Sequence, residues 1–303
     1  MSIKLSVIIP TYNPDADILG QTLQALKVQS LPSSEWELII IDNNSTPAVK
    51  VDLQWHPHAT IVKEPNQGLT YARIKGFEEA KGDVVVMVDD DNILAADYLQ
   101  HALQLLENRP ALGAAGGKSL PEFKAEPPVW IKDFYGNLAL RDLGNEAVTG
   151  KWEGCYPGFA PIGAGMIIRK TALKNYIRHI NEGARLISDR QGQSLGSGGD
   201  NDMVLNILKD GWEIGYFPQL VLHHIIPANR LEYRYLARLN KDSFKSWIKV
   251  LHIHGINPWK KTSRWSVPLR KLKLWFTQRA YVGKANFIKW QGYCGMAEAL
   301  ADL

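Results

Sequence analysis

Three consecutive acids, Asp89, Asp90 and Asp91, stand at the end of an apolar run that is typical of a buried strand. Open α/β sheets bind ligands at the carboxyl ends of their strands, so these acids lie where a ligand is expected. In extended chain, Asp89 and Asp91 project to one side and can hold one hard divalent cation, Mn²⁺ or Mg²⁺. Water and diphosphate oxygens would supply the remaining ligands. The alternative is an acidic turn that caps the next helix.

Other polar residues also follow apolar runs. Asp42 ends a strand-like run and can accept hydrogen bonds from a base or a ribose, or shape a turn with the Asn-Asn-Ser that follows it. His223 and His224 come before Ile225, and a neutral imidazole there would complete a metal shell. A His pair is more often structural than ligating. These residues extend the candidate site without deciding its chemistry.

A candidate general base lies in the segment Ser197 to Asp202, which reads Ser-Gly-Gly-Asp-Asn-Asp. The glycines, Gly199 among them, allow close backbone approach, and Asp200 stands at the mouth of a helix. A carboxylate in that position can take a proton from an attacking hydroxyl. Asp202 is the second choice, and an N-cap role for either acid is the alternative.

The elements that would position these residues alternate between strand and helix, which predicts βαβ units and a mostly parallel sheet flanked by helices. Residues 118–159 interrupt the alternation with a Gly-, Pro- and Trp-rich stretch, which is typical of a functional loop. Trp130 and Trp152 in this stretch either stack on a ligand through their apolar faces or anchor the loop to the core. The predicted strands are 4–10, 36–42, 60–63, 83–89, 112–116, 162–168, 213–217 and 220–224, and the predicted helices include 68–80, 96–108, 171–181 and 202–210.

Composition is that of a globular enzyme: 303 residues, 45% of them hydrophobic. The two cysteines, Cys155 and Cys294, form no CxxC pair, which argues against a zinc ribbon or a disulfide framework and favours a reducing, cytoplasmic compartment. Residues 227–303 carry 15 Lys and Arg against 4 Asp and Glu, whereas residues 1–226 are net acidic. The two parts therefore face different partners.

Several motifs stand in a definite order along the chain: Pro10-Thr11-Tyr12-Asn13 after the first strand, Asp42 after the second, Asn66-Gln67-Gly68 before a helix with Arg73, and Asp89-Asp90-Asp91. This order resembles that of the family 2 inverting glycosyltransferases, which have the Rossmann-like GT-A fold. The resemblance covers roughly residues 3–230, and the order is more specific than any one motif. It departs from the family at Arg73-Ile74, where Arg-Asn is common, and at Gly199, where the family has Glu before the base.

The resemblance implies a metal-dependent transfer of a sugar from a nucleotide sugar, a UDP-sugar by family habit, to a hydroxyl of a glycan or lipid-linked acceptor. Asp89 would contact ribose or metal, Asp91 would be the principal metal ligand with His224, and Asp200 would be the base. The other implied nucleotide contacts are Pro10, Thr11, Tyr12, Asn13, Asp42, Asn66, Gly68, Arg73 and Asp90, and the implied sugar and acceptor contacts are Gly163, Ala164, Gly165, Met166 and Gly199 beside Trp130 and Trp152.

The domain organisation expected on this basis is a GT-A domain at 1–226, with a nucleotide-binding half at 1–117 and an acceptor half at 118–226. A basic, aromatic, helical region follows at 227–303. Basic residues interleaved with Trp suit an anionic membrane surface, which predicts peripheral attachment at the inner face of a membrane. A solvated helical tail is the alternative. Nucleic acid is not expected, because no helix-turn-helix, zinc-finger or RNP pattern occurs.

Two other functions compete with sugar transfer. A nucleotidyltransferase should show a Gly-rich loop with a basic residue after the first strand, and Pro10 to Pro14 lacks one. A catalytically silent scaffold of the same fold would be expected to have lost the acids, and this chain keeps them. The sequence leaves the sugar, the acceptor and the oligomeric state undetermined.

Overall fold

The computed structural model describes residues 2–183 and 195–303, which form two compact units. The first unit comprises the described parts of Met1–Glu122, Ala139–Ala184 and Met203–Ile225, and the second those of Phe123–Leu138, Arg185–Asp202 and Ile226–Leu303. Cys155 and Cys294 are both free thiols. Among the described helices, none is long and apolar enough to cross a membrane.

The first unit is built on one central sheet with helices packed against it. Its helices are α1 (Ala16–Lys27), α2 (Leu69–Glu79), α3 (Tyr98–Asn108) and α4 (Lys174–Asn181), and α5 (Gly199–Lys209) begins in the second unit and continues into the first. The strands are β1 (Leu5–Thr11), β2 (Trp36–Asp42), β3 (Ala59–Lys63), β4 (Val84–Met87), β5 (Asn92–Leu94), β6 (Leu112–Phe123), β7 (Val148–Gly150), β8 (Ile167–Arg169) and β9 (Glu213–Ile226).

The sheet has the order β3-β2-β1-β4-β8-β6-β9-β5, with β7 beside β9. The ladders among β1, β2, β3 and β4 are parallel, whereas β8 pairs antiparallel with β4 and β6, and β9 pairs antiparallel with β5 and β7. The predicted α/β architecture with a helix-flanked sheet is confirmed, but the sheet is mixed and not mostly parallel, because the ladders of β8, and those of β9 with β5 and β7, are antiparallel. Its parallel part lies in the first third of the chain, where strands and helices alternate.

The burial of β1 and β2 follows from their composition. Every residue of both strands is buried, because helices cover both faces of the sheet and the strands are almost uninterrupted apolar runs. One core cluster includes Val7 and Leu38 on one face, and another includes Ile8 and Ile39 on the other. The polar residues that follow these strands are therefore held on a rigid frame.

Several boundaries differ from those predicted. The strand expected at 162–168 is limited to β8, Ile167–Arg169. The two short strands expected at 213–217 and 220–224 are one strand, β9, because Pro218 is accommodated within it. β6 extends to Phe123, beyond the predicted end at 116. A short strand, β5, follows the three acids directly and pairs with β9, so the acids lie in a turn between two strands.

The second unit contains three long helices, α6 (Tyr233–Ile253), α7 (Val267–Thr277) and α8 (Lys284–Asp302), and a 3₁₀ segment at Val129–Leu138. Glu298 of α8 joins the three helices, because its carboxylate binds Lys241 at 2.8 Å, Lys271 at 2.5 Å and also Lys245. Burial alone would raise the pKa of Glu298, but its bonds to the three ammonium groups outweigh burial and lower the pKa to about 2. This cluster ties α7 to its neighbours.

Glu298→Gln is therefore expected to lower the free energy of unfolding at pH 7 by about 2 kcal/mol, since each unit of pKa shift corresponds to about 1.4 kcal/mol and the group is partly solvated. The folded pKa lies below the usual value of 4.5, so the stabilisation is present above pH 4.5 and is lost as the pH falls towards 2. Urea titrations across this pH range would measure it. Asp302→Asn is the matched control, because Asp302 pairs with Arg264 in solvent. Equal acid sensitivity of the wild type and Glu298→Gln would contradict the assignment.

Candidate active site

The three acids lie in a turn between β4 and β5 that Asn92 closes. Asn92 donates its backbone N–H to the Asp89 carbonyl at 3.1 Å, and its side-chain oxygen accepts the Asp89 N–H at 3.1 Å. Its side-chain amide also donates to Asp91 Oδ1 at 3.1 Å. Asn92 is fully buried. It therefore sets both the shape of the turn and the orientation of the Asp91 carboxylate, a role that the sequence analysis did not assign to it.

Pairing of β5 with β9 brings His224 to Asp91. Asn92 is opposite His224 in the register, and His224 Nε2 lies 3.2 Å from Asp91 Oδ1 with both side chains largely buried. Two ligands at about 2.1 Å from an octahedral ion would lie about 3 Å apart, so this pair fits one divalent cation. His223 is exposed, and neighbouring residues of a strand project to opposite faces. The structure thus brings His224, and not His223, to the acids.

An ion held by Asp91 and His224 would need further ligands, which diphosphate oxygens and water can supply. In residues 2–183 and 195–303, no group of three or more His, Cys, Asp and Glu side chains is arranged to hold an ion. Carboxylate and imidazole suit Mn²⁺ or Mg²⁺ when phosphate oxygens and water complete the coordination. The donor set of this chain therefore fits an ion that binds together with a diphosphate.

Asp89 and Asp90 contact the ends of other elements. Arg73 of α2 is buried, and its guanidinium lies 4.0 Å from Asp89 Oδ1. Thr11 at the end of β1 donates a hydrogen bond to Asp90 Oδ2, and Thr22 of α1 donates to the Asp90 carbonyl at 3.0 Å. The structure thus brings together Thr11, Arg73 and the three acids.

Asp42 lies at the end of β2, where it organises the following turn. Its carboxylate accepts the N–H groups of Ser45 at 2.9 Å and Val49 at 3.1 Å. Burial by itself would raise the pKa of Asp42, but the hydrogen bonds from Ser45 and Val49, with the charge of Lys63, outweigh it and lower the pKa. Asp42 is therefore an ionised acceptor. Asn13 contacts the same turn, because its N–H donates to Ser45 Oγ at 2.9 Å.

Asn43 connects the end of β2 to the Asn66-Gln67-Gly68 loop. Its side-chain amide donates to the carbonyls of Glu64 at 3.2 Å and Asn66 at 2.7 Å, and its side-chain oxygen accepts the Gly68 N–H at 2.7 Å. Gly68 has φ = 144°, which favours glycine. Asn43 was missed in the sequence analysis, because an Asn-Asn pair after a strand is also what a plain turn requires.

Asn43→Ala is expected to lower the free energy of unfolding by about 2 to 3 kcal/mol, because it leaves buried backbone groups of the loop without partners. It should also weaken nucleotide binding, since the loop precedes the helix that carries Arg73. Urea unfolding and calorimetric titration with UDP would measure the two effects. Asn181→Ala is the control, since the Asn181 side chain bonds Glu78 at the surface. A stable variant with unchanged affinity would refute the role of Asn43.

The segment Gly163 to Met166 turns back into the sheet at β8. Gly165 has φ = 72°, and its carbonyl accepts the Tyr98 hydroxyl. A Cβ at Gly165 would lie 2.4 Å from Leu222, so no other residue fits there without displacement. All four residues of this segment, Gly163 to Met166, are buried, and Ala164 and Met166 belong to the two core clusters.

Trp152 packs against one of the core clusters of the first unit. The Lys209 ammonium lies 5.4 Å from its ring centroid. These contacts match the anchoring interpretation of this residue. Tyr12, by contrast, is exposed after β1.

Trp130, Asp200 and Asp202 belong to the second unit. Trp130 lines a surface cleft of about 510 Å³ together with Tyr233, Arg234 and Lys284. Asp200 lies in the first turn of α5 and is partly exposed. Asp202 is buried, and its Oδ1 is 2.6 Å from His254 Nε2 at the end of α6. Of the two acids, Asp200 is therefore the one that solvent reaches.

Comparison with known proteins identifies the family of the chain. The family model described as glycosyl transferase family 2 matches residues 6–175. A glucosyl-dolichyl phosphate glucuronosyltransferase of Haloferax volcanii is 29% identical over 146 residues, 46% of either chain. The succinoglycan biosynthesis protein ExoM of Rhizobium meliloti is 24% identical over 278 residues, 87% of this chain and 80% of ExoM. The chain thus spans less than half the length of the Haloferax relative.

A solved structure supports the fold. The mannosyltransferase PcManGT of Pyrobaculum calidifontis, in complex with GDP-Man and Mn²⁺, superposes with a TM-score of 0.57 at 18% identity. The superposition covers 99% of this chain and 85% of PcManGT. Motif order, sheet topology and the family match agree: the chain belongs to glycosyl transferase family 2 and has the GT-A fold.

Proposed function

We propose that the protein transfers a sugar from a nucleoside diphosphate sugar, a UDP-sugar in the first instance, to an acceptor hydroxyl with inversion at the anomeric carbon. The observation that carries the proposal is the pair Asp91 and His224, 3.2 Å apart at the carboxyl end of β4. Asp89 with Arg73 on one side and Asp90 with Thr11 on the other connect this pair to the ends of α2 and β1. A diphosphate bound there would meet both a cation and a guanidinium.

Asp91 and His224 would hold Mn²⁺ or Mg²⁺, which when bound stabilises the negative charge of the leaving diphosphate. Asp42, ionised at the end of β2, accepts hydrogen bonds from the base or the ribose, and Tyr12 covers the base. Arg73 offsets the charge of Asp89 and of the nucleotide. These residues bind and orient the donor before the reaction.

Asp200 takes the proton of the acceptor hydroxyl as its oxygen attacks the anomeric carbon. The new bond joins that carbon to the acceptor oxygen, the bond to the diphosphate oxygen breaks, and the nucleoside diphosphate leaves with the electron pair. Asp200 is partly exposed, as a base that meets an incoming acceptor must be. Asp202, buried against His254, instead fixes the start of α5.

The acceptor is a glycan or a lipid-linked sugar. The Haloferax relative acts, by its name, on glucosyl-dolichyl phosphate, and ExoM is named for succinoglycan biosynthesis. Trp130 and Tyr233, which line the cleft of the second unit, offer aromatic faces on which sugar rings can stack.

The test is a panel of UDP-, GDP- and TDP-sugars, each with and without Mn²⁺ or Mg²⁺. Calorimetry would measure the binding of each donor, and release of the nucleoside diphosphate would measure its turnover. We expect one donor to bind tightly only with metal and to be turned over slowly by water in the absence of acceptor. A chain that binds no donor in the presence of metal would support the silent-scaffold alternative. Conversion of a nucleotide sugar and added pyrophosphate to a nucleoside triphosphate and a sugar 1-phosphate would instead identify a nucleotidyltransferase.

A further inference from the structure

Helix α7 of the second unit has two apolar faces. One face, which includes Lys271, Leu274 and Trp275, is half-buried against α8. Trp275 meets Trp290 edge-on at 4.8 Å between ring centroids, and Lys271 binds Glu298 at 2.5 Å. This face therefore accounts for the attachment of α7 to its own unit.

The other apolar face of α7, with the turn before it, is exposed. Trp265, Leu269, Leu272 and Phe276 recur at intervals of four, three and four residues, which places them in one line along a helix. They are 75%, 63%, 56% and 61% exposed, and Tyr281 and Val282 just beyond the helix are equally exposed. We call the first four residues the exposed stripe. Single exposed apolar residues are common, but an aligned set of four large ones marks an interaction surface.

The surroundings of the exposed stripe are basic. From residue 243 to residue 297 the chain has eleven Lys and Arg and no Asp or Glu. Arg264, Arg270 and Lys273 are exposed, and Arg270 and Lys273 each follow a stripe residue, so they lie along one side of it. An apolar line bordered by cations is complementary to a partner that has an apolar interior and anionic groups at its surface.

We infer that the exposed stripe docks the protein onto the surface of an anionic lipid bilayer, with Leu269, Leu272 and Phe276 among the acyl chains and Arg270 and Lys273 at the lipid phosphates. Trp265 lies at headgroup depth, where indole rings are favoured. A second copy of the chain fits the stripe less well, because a two-fold contact would bring two strongly basic surfaces together. The Glu298 cluster already fixes α7 in the free protein, so docking costs little conformational entropy.

The test is flotation of the full chain with vesicles of phosphatidylcholine, with and without phosphatidylglycerol. We expect binding to the anionic vesicles that weakens with added salt, and much less to neutral ones. Leu269→Ser, Leu272→Ser and Phe276→Ser together should lower the partition coefficient about 10- to 100-fold. Arg270→Gln with Lys273→Gln should lower it about 25-fold on anionic vesicles, since each basic residue near the surface contributes about fivefold.

The matched control is Val28→Ser with Ile61→Ser, which removes exposed apolar side chains from the first unit and should leave flotation unchanged. Thermal unfolding would check that each variant is folded. Independently of these variants, brominated lipids should quench tryptophan fluorescence of the wild type, and Trp265→Phe should lose a large part of that quenching.

Two results would overturn the inference. In one, the wild type fails to float with anionic vesicles, or the stripe variant floats as well as the wild type. In the other, sedimentation velocity shows a wild-type dimer that the stripe variant dissociates, which would identify a second copy as the occupant. Neither readout depends on catalysis, so failure here would leave the proposed sugar transfer untouched.

Discussion

Asp200→Asn is expected to lower kcat by about 10²- to 10⁴-fold, the range that removal of a positioned general base produces. The amide has the shape of the carboxylate and can still accept the Asn201 N–H, which Asp200 Oδ1 accepts at 2.9 Å, so the first turn of α5 should keep its geometry. It cannot take the acceptor proton. Affinity for the nucleotide sugar with Mn²⁺ should therefore stay within a factor of about two or three, and the loss should appear in turnover.

Two matched variants show whether the effect belongs to Asp200. Asp210 lies beyond the other end of α5, and the Asp210→Asn variant should transfer sugar at the wild-type rate. Asp202→Asn alters the buried contact with His254, so its main expected effect is a lower free energy of unfolding. If Asp200→Asn kept full turnover while a folded Asp202→Asn lost it, the base would be Asp202 and the assignment proposed here would be wrong.

The sequence is sufficient to predict the strands that carry the candidate site, because these strands depend on local patterns. β1 and β2 are uninterrupted apolar runs, and the polar residues that follow them are adjacent to them in sequence. Thr11 and the three acids then meet, since parallel neighbouring strands end at one edge of the sheet. The family match covers residues 6–175, which include these strands and the three acids.

What the sequence does not predict are contacts between segments that are distant along the chain. Asn43 holds a loop 23 to 25 residues away, and nothing in Asp-Asn-Asn-Ser distinguishes such an Asn from one in an ordinary turn. The preference for His224 over His223 likewise depends on the register of β5 against β9. A shift of one residue in that pairing would bring the other imidazole to Asp91.

Helix α7 shows another limit of prediction from the sequence. Leu269, Leu272 and Phe276 recur at helical spacing, but Leu274 and Trp275 make a second apolar face in the same eleven residues. Periodicity predicts a helix from either set and cannot say which face is buried. Contacts with Trp290 and Glu298 decide it, and they come from α8.

Asp91→Asn is expected to lower turnover by about 10³-fold and to remove most of the dependence of donor binding on Mn²⁺, since an amide is a far weaker ligand for a hard cation. His224→Ala should have a smaller effect in the same direction, because an imidazole contributes less charge to the site than a carboxylate. The measurement is donor affinity and kcat as functions of Mn²⁺ concentration. Asp83→Asn, at the opposite end of β4 and exposed, is the control that should leave both unchanged.

The variant that combines Asp91→Asn and His224→Ala is the decisive one. If Asp91 and His224 hold one ion, removing the second ligand after the first should cost little more, so the two losses will not add. Strict additivity, or a His224→Ala chain with unchanged Mn²⁺ dependence, would mean that the 3.2 Å contact only orients the Asp91 carboxylate. His224 would then be a structural residue, and the metal site would have to be built on the carboxylates and the diphosphate alone.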